Sequence, residues 1–238
     1  MSTSVSHNVK LFADGADLSV IASLAKNPEI KGFTTNPTLM RKAGITDYEQ
    51  FARSVIDLVP DRPISFEVFS DEFEDMRRQA LKLADWGSNV FVKIPVTNTR
   101  RESSVPLLRE LAAEGVQINV TALMTLPQVA DVTEALKNGP AAFISVFAGR
   151  IGDTGRDPLP VMAGALAIMA SNPLLELIWA SPREALNIVQ ASNIGCHIIT
   201  VTHDLLNKRL SFCKDLDLFS QETVDMFYQD AQRAGFSL

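Results

Sequence analysis

A lysine lies within an apolar, β-branched run of the chain, residues 90–96. The run predicts a buried strand in which Phe91 and Lys93 share one face and the aliphatic side chains share the other. An ammonium group held between apolar surfaces is unfavourable unless it is paired, solvated or neutralised. Burial lowers the pKa of a lysine, and a neutral amine is the nucleophile that forms Schiff bases with carbonyl compounds. Alternatively, Lys93 lies close enough to a strand end for its flexible stem to reach solvent.

Polar side chains also lie at or near the carboxyl ends of most of the other predicted strands. Together with the lysine they are Asp14, Asn36, Glu67, Lys93, Asn119 with Thr121, Ser145, and Ser181. When parallel strands close into a barrel, these ends meet at one rim, where barrel enzymes keep their catalytic residues. Carboxyl groups there could move protons as a carbinolamine forms and collapses, and amides and hydroxyls could hold substrate hydroxyls.

Several of these residues also have a structural interpretation that the sequence leaves open. Asn36 and Ser181 each precede a proline, so that either could cap a helix that starts at that proline. Asp14 precedes a glycine and could belong to a simple turn. Glu67 could be an ion-pair partner that keeps Lys93 charged and inert.

Two arginines follow the sixth and seventh predicted strands. Arg150 follows the sixth strand, and Arg183 lies on the first turn of the helix predicted after the seventh. Barrel enzymes often bind phosphate around these loops, and the arginine guanidinium adds bidentate donors. The pair therefore predicts a phosphate clamp, with surface solubility as the alternative role.

The elements that must position these residues are visible as eight short apolar or β-branched runs. They cover residues 9–13, 31–35, 64–69, 90–95, 116–123, 141–148, 175–180 and 197–202. Segments with helical periodicity separate them, which implies parallel βαβ units. Eight such units favour an α/β fold, a single-domain (β/α)8 TIM barrel, and no Gly-x-Gly-x-x-Gly follows a strand to support an open sheet. We predict a flexible N-terminal tail over 1–8, the barrel over 9–238 and an additional C-terminal helix over about 219–236.

Composition narrows the possible partners and surroundings. The net charge of −6 provides no basic surface for nucleic acid or anionic lipid. The apolar stretch 159–180 is interrupted at 171–173, which favours a buried helix followed by a buried strand over a membrane span. The two cysteines and three histidines lack metal-ligand spacing, so we expect no metal. With no signal pattern at the N-terminus, we expect a cytoplasmic protein.

Four segments together resemble the transaldolase family of class I aldolases. They are FAD at 12–14, TTNPTL at 34–39, FVKIP at 91–95 and ISVFAGRI at 144–151. The likeness runs in order from about residue 9 to the C-terminus. It implies a (β/α)8 barrel and an enzyme that needs no cofactor.

The resemblance also implies a role for each candidate residue. Lys93 would form the Schiff base, Asp14 would handle protons during carbon–carbon cleavage, and Glu67 with Thr121 would position the water of imine chemistry. The dihydroxyacetone portion of the substrate would be held by Asn36, Asn119 and Ser145, and the phosphate of a sugar phosphate by Arg150, Ser181 and Arg183.

Within the family, the chain is more similar to the transferring branch. Transaldolases proper carry Glu on the third strand, Asn-x-Thr on the fifth and Phe on the sixth, as at Glu67, Asn119 and Phe147. Fructose-6-phosphate aldolases tend to carry Gln and Tyr at the first and last of these positions. The resemblance thus implies transfer of a dihydroxyacetone unit from a ketose phosphate to an aldose phosphate, with the pentose phosphate pathway as the expected setting.

Two alternatives stay open, an aldolase that releases free dihydroxyacetone and a non-catalytic barrel that binds sugar phosphates. The short chain and its last helix resemble the small family members that assemble through that helix. We therefore expect a homo-oligomer that binds neither nucleic acid nor membranes.

Overall fold

Eight parallel strands pair side by side, and the last strand pairs with the first to close a barrel. The computed structural model describes residues 8–236, so nearly all of the tail predicted over 1–8 lies outside the described residues. The strands are β1 (Lys10–Asp14), β2 (Ile30–Thr34), β3 (Ile64–Glu67), β4 (Val90–Pro95), β5 (Ile118–Leu123), β6 (Ala142–Val146), β7 (Leu175–Trp179) and β8 (Ile198–Thr202). The predicted TIM barrel is therefore confirmed.

Helices follow every strand. They are α1 (Leu18–Ala25), α2 (Pro37–Lys42), α3 (Tyr48–Leu58), α4 (Phe73–Ala84), α5 (Val105–Ala113), α6 (Leu126–Leu136), α7 (Ala148–Asp153), α8 (Leu159–Met169), α9 (Leu186–Asn193), α10 (His203–Lys208) and α11 (Leu216–Ala234). Helices α1 to α9 connect consecutive strands on the outside of the barrel, and α10 and α11 follow the last strand. The stretch 159–180 forms α8 followed by β7, as predicted. Among the described residues, no helix has both the length and the apolar content needed to cross a membrane.

The predicted C-terminal helix is present and begins a little earlier than expected. Asp215 caps it by accepting a hydrogen bond from the backbone N–H of Leu218, so that α11 starts at Leu216 rather than at about 219. It ends at Gly235, which has the left-handed conformation that a terminating glycine adopts readily.

The helix start predicted at Ser181 is wrong. Ser181 has a positive φ of 58°, and α9 begins only at Leu186. Residues 181–184 instead form a turn whose backbone is held by a later side chain, because Asn187 Oδ1 accepts hydrogen bonds from the N–H groups of Arg183 and Glu184. Ser181 is thus free of a capping role.

The two faces of β4 divide as the alternation of the sequence predicts. Val92 and Ile94 belong to the apolar layer between strands and helices. Phe91 belongs to a separate cluster inside the barrel, where its ring stacks on that of Phe143 with centroids 4.0 Å apart. Phe12 completes this aromatic floor in a T-shaped contact, with its ring centroid 5.6 Å from that of Phe143.

Gly32 makes room for the aromatic floor. It pairs with Phe12 across β1 and β2, and a Cβ at Gly32 would lie 2.4 Å from the Phe12 ring. The ring therefore occupies the space that a side chain on β2 would otherwise fill.

We expect Gly32→Ala to destabilise the protein by about 1–3 kcal/mol, because the Phe12 ring must leave its place in a closely packed core. Urea unfolding measures the change. Gly15→Ala is the matched control, since a Cβ there would meet nothing within 4 Å. Equal stabilities of the two variants would contradict this account of the floor.

Candidate active site

Lys93 is buried at the carboxyl end of β4, above the aromatic floor. Only 7% of the residue is exposed. Its Nζ lies 3.0 Å from Glu67 Oε2 and donates a hydrogen bond of 2.9 Å to the backbone oxygen of Thr35. Because Glu67 and Lys93 face each other across β3 and β4, the strand register itself brings the pair together. The ion pair that the sequence left open as an alternative is therefore present.

A hydrogen-bonded chain of buried polar side chains continues from β3 across the rim. Asn119 donates from Nδ2 to Ser65 Oγ at 3.0 Å, and Ser145 Oγ donates to Asn119 Oδ1 at 2.7 Å. These two bonds fix the orientation of the amide. Ser65 was not among the predicted site residues, although it shares a strand face with Glu67, and that shared face was the signal for it.

Asp14 ends β1 and is held by a threonine of the neighbouring strand. Thr34 Oγ1 donates to Asp14 Oδ1 at 2.7 Å and lies 2.5 Å from the hydroxyl of Thr200. Burial raises the pKa of Asp14 above its usual value, and the positive charge of Lys93 opposes that shift. Asp14 therefore holds a proton more readily than an exposed aspartate, and it does so within the field of the amine.

The side chains of Thr121 and Asn36 form no hydrogen bond with the Lys93 amine. Thr121 is buried on β5, and its hydroxyl has no hydrogen-bond partner within residues 8–236. A buried hydroxyl of this kind is suited to bind water or a ligand. Asn36 caps α2, because its Oδ1 accepts from the N–H of Leu39 at 2.9 Å. This cap is the structural role that the sequence had left open.

Arg150 lies in α7, after β6, and Arg183 lies in the loop after β7, on the same rim. The helix and the loop approach closely at Gly149, where a Cβ would lie 1.6 Å from the backbone oxygen of Ser181. Arg183 donates from Nη1 to Ser181 Oγ at 3.0 Å, which brings two of the predicted phosphate ligands into contact. The guanidinium of Arg150 lies over the Phe147 ring, 5.5 Å from its centroid.

Arg183 already has an anionic partner. Its Nε and Nη2 donate to the two carboxylate oxygens of Asp153 at 2.8 and 2.5 Å. These bonds hold the pKa of Asp153 below its usual value. The pair is half-exposed, so that it is weak enough for a phosphate to share or replace. The sequence does not indicate Asp153 as a partner of Arg183, because the two residues lie 30 positions apart.

Phe147 packs against the partly aromatic cluster inside the barrel. It follows β6 directly and packs against the cluster that contains the aromatic floor. Its ring thus lies between that cluster and the Arg150 guanidinium. Within the described part of the chain, no three His, Cys, Asp or Glu residues are grouped so that they could hold a metal ion.

Comparisons with known proteins show the family to which the chain belongs. The model of the family Transaldolase/Fructose-6-phosphate aldolase matches residues 11–238. A probable transaldolase of Dehalococcoides mccartyi is 33% identical over 83% of this chain and 88% of its own length. The probable transaldolase 2 of Listeria monocytogenes serovar 1/2a is 34% identical over 90% and 99%.

The similarity to solved structures is a similarity of fold only. A putative phosphonomutase from Burkholderia cenocepacia J2315 superposes with a TM-score of 0.58 at 10% identity, over 93% of this chain and 94% of that one. The family model, in contrast, covers nearly the whole sequence, and the curated relatives match it at about a third identity. The chain belongs to the transaldolase/fructose-6-phosphate aldolase family.

Proposed function

We propose that the protein is a transaldolase that transfers a dihydroxyacetone unit from a ketose phosphate to an aldose phosphate through a Schiff base on Lys93. The observation that carries this proposal is the buried amine of Lys93, 3.0 Å from the Glu67 carboxylate at the carboxyl end of the barrel. A carboxylate at that distance can take the ammonium proton and leave the nitrogen lone pair free to attack a ketone.

Imine formation then follows from the groups around the amine. The Lys93 nitrogen attacks C2 of the ketose, and the carbonyl oxygen takes up a proton to give a carbinolamine. Loss of that oxygen as water gives the iminium ion. Glu67 serves as the proton carrier, and the unpartnered hydroxyl of Thr121 is suited to bind the water that leaves and later returns.

Carbon–carbon cleavage uses the iminium ion as its electron sink. Asp14 accepts the proton of the C4 hydroxyl, the C3–C4 bond breaks, and its electron pair moves toward the iminium nitrogen to leave an enamine. The aldose phosphate departs. The enamine then attacks an acceptor aldehyde, whose oxygen takes the proton back from Asp14. The raised pKa of Asp14 suits a group that must both accept and return a proton.

Binding groups for the two ends of the substrate lie on either side of this chemistry. The Asn119–Ser145 pair offers oriented donors and acceptors to the hydroxyls of the dihydroxyacetone unit. Arg150 and Arg183 offer positive charge for the phosphate, while the carboxylate of Asp153 reduces their net charge. These side chains support a sugar phosphate as the substrate class.

The lack of a hydroxyl group on Phe147 favours transfer of the dihydroxyacetone unit over its release. Its ring packs beside the barrel interior and has no hydroxyl that could protonate the enamine or align water for hydrolysis. The enamine would then persist until an aldehyde arrives. The alternative within the family is an aldolase that releases free dihydroxyacetone, and the alternative outside catalysis is a sugar-phosphate-binding barrel in which the Lys93–Glu67 pair is inert.

A product assay with fructose 6-phosphate tests this proposal. With erythrose 4-phosphate as acceptor, we expect transfer product to form much faster than free dihydroxyacetone appears without the acceptor. Equal rates of dihydroxyacetone release with and without acceptor would establish the aldolase alternative. A lack of turnover in both assays would contradict the proposal and support the alternative of a non-catalytic barrel that binds sugar phosphates.

Lys93→Met should abolish turnover, because the variant keeps a side chain of similar length but has no nucleophile. We expect the rate to fall by at least about 10⁴-fold, as when a covalent nucleophile is removed from an enzyme. Lys10→Met is the matched control. Lys10 pairs with Glu176 at the opposite end of the barrel, and its loss should leave kcat within about twofold. Activity retained in Lys93→Met would end the proposed mechanism.

Arg183→Ala should raise KM for fructose 6-phosphate about tenfold, with kcat changed much less, because a charged hydrogen-bond donor to the phosphate is lost. Unphosphorylated fructose should be processed equally by variant and wild type. Arg78→Ala is the control, since Arg78 forms an exposed ion pair with Asp75 on α4. An equal loss with both sugars would show that Arg183 does not bind the phosphate.

We also propose that the protein is a homo-oligomer, because α11 has no buried residue yet exposes many apolar side chains. These are Leu216, Leu218, Phe219, Val224, Met226, Phe227 and Tyr228. Light scattering should give a multiple of the chain mass, and Phe227→Asp should reduce it, while Gln221→Asp on the same helix should not. A monomeric mass for the wild-type chain would contradict this expectation.

A further inference from the structure

Tyr48 begins α3, on the outside of the barrel, and points its hydroxyl at the end of β3. Its ring packs edge-on against Phe66 and Phe69, with centroids 6.4 and 5.4 Å away, and lies 6.1 Å from Trp86. Its Oη donates a hydrogen bond of 2.8 Å to the backbone oxygen of Glu67. Burial raises the pKa of the phenol, so that Tyr48 remains a donor at every physiological pH.

The hydroxyl of Tyr48 replaces a missing strand partner. β3 pairs with β2 only through Ile64 and Ser65, and the last backbone bond between them runs from the N–H of Thr35 to the oxygen of Ser65 at 3.3 Å. Carbonyls two residues apart on a strand point to the same side, so that the oxygen of Glu67 also points toward β2. There β2 has already ended at Thr34, and Tyr48 supplies the donor instead.

The opposite side of the same peptide segment is held by β4. The N–H of Val68 donates to the backbone oxygen of Lys93 at 3.0 Å. The backbone after Glu67 is thus fixed from both sides, by Lys93 through the sheet and by Tyr48 through its hydroxyl. The side chain of Glu67 starts from this backbone, and its carboxylate lies 3.0 Å from the Lys93 amine.

We propose that Tyr48 is a positioning residue for the reaction, acting through Glu67. It holds the end of β3 so that the Glu67 carboxylate stays within proton-transfer distance of the amine. This inference rests on the proposed function, since it assigns Tyr48 a part in imine formation. Without the hydroxyl, the Glu67 carbonyl loses its partner, and the carboxylate moves with the loosened strand end.

Tyr48→Phe tests the inference, because it keeps the ring among its aromatic neighbours and removes only the donor. Mixing the enzyme with fructose 6-phosphate and quenching with borohydride at short times gives the rate of imine formation. We expect that rate to fall about tenfold, with KM within about twofold of wild type. Tyr228→Phe is the matched control. It changes the other tyrosine of the chain, which lies on α11 and keeps its ring in the variant, and should alter neither quantity.

A double-mutant cycle separates positioning from a merely structural role. If Tyr48 acts through the Glu67 carboxylate, Tyr48→Phe should have little further effect in a Glu67→Gln background. The same tenfold loss in both backgrounds would overturn the inference, as would an unchanged rate in the single variant. A lower melting temperature alone, with normal imine formation, would also overturn it.

If the wild-type protein forms no imine on Lys93, the proposed function fails. If it forms the imine and Tyr48→Phe forms it equally fast, the proposed function stands and Tyr48 has only a packing role.

Discussion

The buried ion pair between Lys93 and Glu67 is the interaction on which the site depends. Charges inside a protein are tolerated only when they are paired and hydrogen-bonded, and this pair has the backbone oxygen of Thr35 as a further acceptor. Below the amine, the aromatic floor offers no polar partner. The lysine is therefore confined to the polar layer at the carboxyl end, where a substrate entering the barrel mouth would meet it.

The polar layer contains a second carboxyl group, that of Asp14, in surroundings different from those of Glu67. Asp14 lies in the field of the same amine, and burial raises its pKa, while Glu67 forms the direct contact. Two carboxyl groups in different surroundings are the arrangement by which enzymes separate acid and base roles. The proposed mechanism uses this division, with Glu67 serving the nitrogen and Asp14 serving the substrate hydroxyl.

The sequence predicted the parts of the structure that depend on local periodicity. Alternation placed Phe91 and Lys93 inside the barrel, and the eight apolar runs placed the polar strand ends on one rim. It failed where a tertiary contact decides the backbone. Ser181 looked like a helix cap before a proline, but its loop packs against Gly149 and takes a left-handed turn instead.

Contacts between distant residues could not be read from the sequence either. Asp153 holds Arg183, and Tyr48 supports Glu67, across 30 and 19 residues of chain. No local pattern marks such pairs, because one depends on how a helix meets a loop and the other on how a helix meets a strand end. They modify the predicted site in specific ways: one reduces the charge of the proposed phosphate clamp, and the other fixes the carboxylate beside the amine.

The chain belongs to the transaldolase/fructose-6-phosphate aldolase family, with relatives at about a third identity. The central claim is that the buried amine itself attacks the substrate ketone. Borohydride reduction in the presence of fructose 6-phosphate, followed by intact mass and peptide mapping, tests it most directly. We expect one reduced dihydroxyacetone unit per chain, attached to Lys93. An unmodified chain, or an adduct confined to another lysine, would contradict it.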